Sequence, residues 1–435
     1  MQSTDNSELA FLYREENKTF THTDRVSVVI VTFNKYNYVR DLLVSFQHIN
    51  YDKDLLDIIV VDNASNDETE EKLIEEFGET ITLIQTGENL GGSGGFNTGM
   101  KFAMEYHDNE YIWLVDNDAV VHVDALNYLL ESMKANPKAA AIGSMILQLD
   151  NPEYVSEIGA MMDWSKGRIV MQNTGDKYTS ILDKSERILD YCPACSLLKR
   201  RSALEDIGFW EEYFIHFDDV DWCLRAVKKG YQIICNPKSI TFHESMNQKQ
   251  PTWIRYYNIR NLLYTYAKFK PLRLPFVFLK FFLGACYFLG HGLKKNSGLV
   301  FKALWDFLRG KKAKQDFPLE DYQKLEDFNW ADYSNENSAN SILIFNSRDN
   351  LNMFIEKTGF QITDTTKILV YPKKKNFFSL WGIGYAQDMA SLSAMFKNKK
   401  VIIDGDLEYK FMFPCPVEKL VVYSFYGTML DLRIR

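Results

Sequence analysis

Four groups of residues in this chain have the types and spacing to do chemistry. The first is Asp116-Asn117-Asp118, which closes the apolar run Tyr111–Val115. Two carboxylates two residues apart can share one hard divalent cation, and such a cation would neutralise a diphosphate. The same tripeptide is also an ordinary polar turn, because Asp and Asn are turn formers. The second is the segment NLGGSGGFN, Asn89 to Asn97. Its glycines let backbone approach a ligand closely, and a following helix would present free N–H groups. No GK[ST] follows, so it is not a Walker loop, and a flexible connector is the plainer reading. The third is Asp218-Asp219-Val220-Asp221 in FDDVDWCLRA. Paired carboxylates can hold one of the two as a general base, whereas acids at a helix start also serve as simple caps. The fourth is His243 in TFHES. It becomes a metal ligand only if the fold brings it beside Asp118.

The elements that must position these residues alternate in type. Val26–Val31 and Asp57–Asp62 are continuous apolar, β-branched runs, as buried parallel strands should be. Ile81–Gln85 and Tyr111–Asp116 continue the series. A helix is expected over Tyr38–Gln47, and another capped by Ser65 or Asn66 with Asp67, Glu68 and Glu70 in its first turn. This rhythm predicts an α/β, doubly wound, mostly parallel sheet, in which ligands sit at the carboxyl ends of strands. Asp62 and Asp116 fall there. Further strands are expected at Ala139–Leu149, Cys195–Lys199 and Tyr231–Asn236, the last stopping before Pro237. A hairpin is expected over Gly159–Met171, and a helix over Asp219–Lys229 with Gly230 as its C-cap.

The order of these pieces resembles the inverting glycosyltransferases of family 2, which have the GT-A fold. The matching segments are VSVVIVTFN (27–34 with Val26), IIVVDNASND (58–67), NLGGSGGFNTG (89–99), LVDNDA (114–119), FIHFDDVDWCLRA (214–226) and His243. The glycine-rich segment looks most like that of bacterial galactofuranosyltransferases and rhamnosyltransferases. The resemblance covers the chain from 25 to about 270 and implies roles for individual residues. Thr32, Asp62 and Asn63 would hold the nucleoside. Asn89, Gly92, Phe96 and Asn117 would line the donor site. Asp116, Asp118 and His243 would bind Mn²⁺ or Mg²⁺. Asp219 would be the catalytic base, with Asp218 beside it. The implied reaction transfers galactofuranose from UDP-galactofuranose, or rhamnose from dTDP-rhamnose, to a polyprenyl-diphosphate-linked glycan. One departure is Tyr191-Cys-Pro-Ala-Cys195, where the family often has a glycine. This Cys-x-x-Cys has no second pair in the chain to make a zinc site.

Composition narrows the classes. The net charge of -8 argues against nucleic-acid binding. Six cysteines in so long a chain do not form a disulfide framework, and the N-terminus lacks an apolar signal core, so a cytoplasmic home is expected. Between Lys268 and Lys314 stand eleven Lys or Arg and one acid, Asp306. With the apolar run Leu274–Leu289, shorter than the ~20 residues of a spanning helix, this predicts peripheral contact with the inner face of the cell membrane. Arg255, Arg260 and the lysines at 294, 295, 311 and 312 are the expected headgroup contacts; a helix packed on the catalytic domain is the alternative. The expected organisation is an extension (1–24), a catalytic domain (25–252), a helical basic segment (253–314), a linker (315–340) and an accessory α/β domain (341–435), with homo-oligomerisation possible through the last. Two rivals remain open. A nucleotidyltransferase would need a basic, glycine-rich loop where Thr32–Asn37 stands. A glycan-assembly scaffold without activity would be expected to lack one of the key carboxylates.

Overall fold

The computed structural model describes residues 6–13, 18–182, 185–243, 253–290 and 294–317, together with 341–345, 355, 367–370, 400–404, 419–426 and 429–434. The chain divides into two compact units, residues 1–318 and 319–435.

The first unit is built on one large sheet. Strands β1 (Val26–Thr32), β2 (Leu56–Asp62), β3 (Thr82–Gln85) and β4 (Tyr111–Asp116) pair in parallel in the order β3-β2-β1-β4. β5 (Ala119–Val121), β6 (Ala139–Gln148), β7 (Val155–Glu157), β10 (Arg187–Leu189), β11 (Ser196–Arg200) and β12 (Gln232–His243) extend it. β8 (Ala160–Asp163) and β9 (Arg168–Met171) form the expected hairpin apart from it. Both faces of the sheet are covered, which is why β1 reads as an unbroken apolar run. Val26, Val28 and Ile30 face α1 (Tyr36–Gln47) and α4 (Ala125–Ala135), whereas Val29 faces α3 (Gly91–Tyr106). The chain leaves β1 in one direction through β2 and β3, then returns to β4 on the other side. That reversal is a topological switch point between β1 and β4, where a ligand crevice forms at the carboxyl ends.

Three expectations need correction. The glycines 91–95 lie within the first turns of α3, not in a loop before it. A Cβ at Gly95 would overlap Val31, and one at Gly99 would overlap Val29, so these glycines let the helix lie close on the sheet. Ser65 does not cap α2 (Thr69–Phe77): it bonds Asp62, and the carboxylate of Asp67 accepts from Thr69 N at 3.0 Å instead. β12 does not stop at Pro237. A register shift between Asn236 and Ile240 absorbs the proline, and the strand runs on to His243.

After β12 come three helices, α7 (Ile254–Phe269), α8 (Leu274–Gly290) and α9 (Lys294–Leu308). Buried Tyr256, Tyr257, Leu263 and Tyr266 of α7 share a cluster with Val220 and Leu224 of α6 (Asp218–Lys228), so α7 packs on α6. Among the described residues no helix is long and apolar enough to cross a membrane. α8 leaves Phe276 (74%) and Leu283 (57%) exposed. Arg260 is a correction to the expected headgroup contacts. It is fully buried, and its guanidinium donates to the carbonyls of Tyr213 and Ala313 at 2.8 and 2.9 Å. Lys311 and Lys312 pair within the fold, with Asp306 at 3.8 Å and Glu211 at 2.8 Å. Nothing is described of the side chains of Lys294 and Lys295.

The second unit contains β13 (Ser341–Phe345), β14 (Lys367–Val370), β15 (Lys400–Asp404), β16 (Lys419–Tyr426) and β17 (Met429–Ile434). They pair in the order β14-β13-β15-β16-β17, parallel except for β17. The expected linker lies outside the described residues beyond position 317.

Candidate active site

The switch point brings the ends of β1 and β4 together. Val31 pairs with Asp116, and the Asn117 side chain donates to Thr32 Oγ1 at 3.1 Å across the crevice. Thr32 is buried at its floor. At the end of β2, Asp62 is also buried. Its carboxylate accepts from Ser65 N at 3.0 Å, Ser65 Oγ at 2.5 Å and Gln85 Nε2 at 2.9 Å. Asn63 organises the turn into α3: its amide donates to Gly91 O at 2.9 Å and its carbonyl accepts from Leu90 N at 3.0 Å. Asn89 Oδ1 accepts from Gly91 N at 2.9 Å, and Gly91 takes φ +71°. A side chain at Gly92 would meet nothing within 4 Å, so its backbone faces open space. Phe96 is a correction to the expected donor pocket. Its ring is buried, 5.1 Å from that of Trp210, and faces the core. A cleft of about 610 Å³ opens beside Asn34, Tyr36, Asn66 and Asp67, just past the ends of β1 and β2.

The run of β12 past its bulge explains the place of His243. β5 follows directly on Asp118, and His243 pairs with Ala119. Consequently His243 Nε2 meets Asp118 Oδ1 at 3.0 Å. Asp116, His243 and Cys195 each offer a ligand atom within 4.8 Å of the others. Sequence reasoning passed over Cys195 at this point, reading it only as half of a Cys-x-x-Cys. Burial and the nearby Asp118 push Asp116 up from the ordinary carboxylate range. Burial works the same way on Asp118, but the hydrogen bond and charge of His243 hold it below that range.

α6 carries the acid pair. Phe214, His216 and Phe217 all take positive φ (73°, 62° and 69°), turning the chain sharply before Asp218. Such backbone costs roughly 1–3 kcal/mol per residue and persists only where neighbours over-determine it. Here α7 does so. Asn261 donates to the carbonyls of Ile215 and His216, each at 2.9 Å, and Asn258 Oδ1 lies 2.6 Å from His216 Nδ1. Asp219 accepts from Val220 N at 2.7 Å and from Ala194 N at 3.4 Å, which ties it to the turn that carries Cys195. Burial raises both acids of the pair. Repulsion from Asp219 raises Asp218 further, whereas the backbone donors draw Asp219 back toward the charged form. Environments that separate two carboxyls in this way favour one acid and one base. Asp221 is different: fully buried, it is bridged by Arg225 at 2.8 Å and Lys268 at 3.0 Å, a structural role.

One further residue was missed. Glu157, at the end of β7, is pushed up to about 7 by burial, with Asp219 and Asp116 adding to the effect and His243 opposing it. Its Oε2 is buried without a hydrogen-bond partner. No motif marks it, because a lone glutamate on a short edge strand has no local signature.

Residues 27–208 match the model of glycosyl transferase family 2. That span is similar to a family 2 glycosyltransferase domain. The mixed α/β architecture with its largely parallel central sheet is the one expected of GT-A glycosyltransferases. Over 193 residues the chain is 28% identical to the galactofuranosyltransferase GlfT2 of Mycobacterium tuberculosis, covering 40% of this chain and 30% of that protein. Over 202 residues it is 28% identical to the N-acetylglucosaminyl-diphospho-decaprenol L-rhamnosyltransferase of Mycobacterium tuberculosis, covering 43% of this chain and 66% of that one. The chain thus spans less than a third of the first relative's length. The mannosyltransferase PcManGT of Pyrobaculum calidifontis, solved with GDP-Man and Mn²⁺, is 18% identical and covers 70% of this chain and 93% of its own, with a TM-score of 0.44. A likeness of that size does not speak for the reaction. Residues beyond 208, which include Asp219 and His243, lie past the matched span.

Proposed function

We propose that the chain is an inverting, metal-dependent galactofuranosyltransferase that carries galactofuranose from UDP-galactofuranose to a lipid-linked surface-polysaccharide acceptor. The observation that carries this reading is the placing of metal-type donors at one strand edge within electrostatic reach of the Asp219 carboxylate at the start of α6. Asp116, Asp118 and His243 fit a divalent cation. They gather oxygen and nitrogen donors where carboxyls crowd together, and a cation would relieve that crowding. Bound there, it would supply charge neutralisation for the departing diphosphate. Thr32, Asp62, Asn63 and Asn117, at the ends of the parallel strands, shape the crevice for the nucleoside. Gly92 and Asn89 present backbone and amide toward the donor.

Asp219 is the base. It takes the proton of the acceptor hydroxyl as that oxygen bonds to the anomeric carbon. The bond from that carbon to the diphosphate oxygen breaks, and its electron pair leaves with the nucleoside diphosphate. One displacement inverts the anomeric centre. Asp218, its carboxyl raised by burial and by Asp219, accepts from Asp219 N at 3.2 Å and stands beside the base. The exposed apolar residues of α8 support peripheral contact with the inner membrane face, where polyprenyl-linked acceptors lie. Galactofuranose is favoured by the glycine-rich segment and the GlfT2 likeness. The rhamnosyltransferase relative, of which the chain covers the larger share, supports dTDP-rhamnose as the second reading.

The test is Mn²⁺-dependent nucleotide release from UDP-galactofuranose, dTDP-rhamnose, UDP-galactose and UDP-glucose with a polyprenyl-diphosphate acceptor mimic. Release from UDP-galactofuranose, abolished by EDTA and by Asp118→Ala, is the expected result. Release from dTDP-rhamnose alone would move the assignment to rhamnose. Silence with every donor would favour a scaffold.

A further inference from the structure

Cys195 stands where the sequence departs from the family pattern, at the end of Tyr191-Cys-Pro-Ala-Cys195. β11 lies against β4 with Ser196 opposite Val115, which sets position 195 beside Asp116. The Asp116 N–H donates to the Cys195 carbonyl at 3.3 Å, so this backbone is tied to the crevice edge. The thiol is 5% exposed, and it shares the 4.8 Å cluster with the Asp116 carboxylate and the His243 imidazole. Cys192, the other half of the motif, turns elsewhere: its sulfur lies 3.6 Å from Ile234 O. Among the described residues no other cysteine belongs to such a group.

We propose that Cys195 is a sulfur ligand of the divalent cation, joining Asp116 and His243 in a mixed oxygen, nitrogen and sulfur site. On binding, the S–H bond breaks, a sulfur–metal bond forms, and the proton leaves to solvent. The sulfur donor disfavours Mg²⁺, which keeps to oxygen, and favours softer cations such as Co²⁺, Zn²⁺ and Cd²⁺. The assignment rests on the reading of Asp116 and His243 as metal ligands.

Co²⁺ titration of the metal-stripped full chain tests it by absorption, independently of turnover. The wild type should bind Co²⁺ with a near-ultraviolet sulfur-to-cobalt charge-transfer band. Cys195→Ser should keep the visible d–d bands of bound Co²⁺ and lose the charge-transfer band, whereas Cys192→Ser and Cys286→Ser should keep both. His243→Ala supplies a second variant should Cys195→Ser fail to fold, and it should weaken the charge-transfer band together with Co²⁺ binding. Bound Co²⁺ without the band in wild type, or a band unchanged in Cys195→Ser, would overturn the sulfur ligand and leave the oxygen and nitrogen site standing. Absence of Co²⁺ binding would overturn both readings together.

Discussion

On the proposed mechanism, the pH dependence of turnover tests the roles of Asp219 and Glu157. A base must be ionised to work, so turnover should rise with pH through the Asp219 pKa, which burial lifts above the ordinary carboxylate range. Asp219→Asn should preserve fold and donor binding while kcat falls on the order of 10²–10⁴-fold, the usual worth of a positioned base. Near-normal turnover in that variant would remove the base from the mechanism. Asp219 carries part of the field that lifts Glu157 to about 7, whereas Asp219 itself is raised to about 6 and so ionises first. Glu157 is then still neutral when the base titrates. Glu157→Gln should therefore leave the acid limb of kcat/KM close to its wild-type position. A limb that moves to lower pH would show that Glu157 is charged when the base titrates.

At the scale of elements, α7 matters because it grips the strained turn before α6. Asn261 satisfies two carbonyls there, and losing its amide leaves both without a partner in a buried place. An unsatisfied buried group costs roughly 1–3 kcal/mol. Asn261→Ala should therefore lower thermal stability and, because the turn aims Asp219, reduce kcat about tenfold or more with a smaller change in KM. Stability lost with kcat intact would mean that α7 braces the fold without placing the base. Glu211 links the same helix to the segment after α9, through Lys268 at 3.0 Å and Lys312 at 2.8 Å. Burial alone would raise this carboxyl; the two lysines overcome it and hold it down to about 2. A depressed acid stabilises the fold above its unfolded pKa of about 4.3, and that contribution fades as pH falls toward 2. Melting temperatures of wild type and Glu211→Gln should thus differ at neutral pH and converge between those values.

Across the whole molecule, the proposed roles of the crevice and of the apolar face of α8 can be tested separately. The crevice is built from strand ends, whereas α8 exposes Phe276 and Leu283 to solvent. Phe276→Asp with Leu283→Asp should reduce binding to anionic vesicles severalfold or more while leaving turnover on a soluble acceptor mimic close to wild type. Equal vesicle binding by both proteins would return α8 to the role of a packed helix with incidental exposure. Lys280, inside that apolar run, already has a partner, since its amine donates to Lys166 O at 2.7 Å.

The sequence by itself determined the strands of the sheet's first half, because strands buried on both faces must be apolar along their length and Val26–Val31, Asp57–Asp62 and Tyr111–Asp116 are. It also marked Asp116, Asp118 and the acid pair, since motifs in family order carry local signatures. Only the tertiary structure decided which of these meet. A bulge at Pro237 carries β12 far enough to bring His243 onto Asp118, and no local pattern announces a strand that continues through proline. Phe96 turned to the core and Arg260 became a buried clamp, because side-chain direction depends on what packs above it. Glu157 and Cys195 entered the site for the same reason: their neighbours there are distant in sequence, and proximity of that kind is a property of the fold alone.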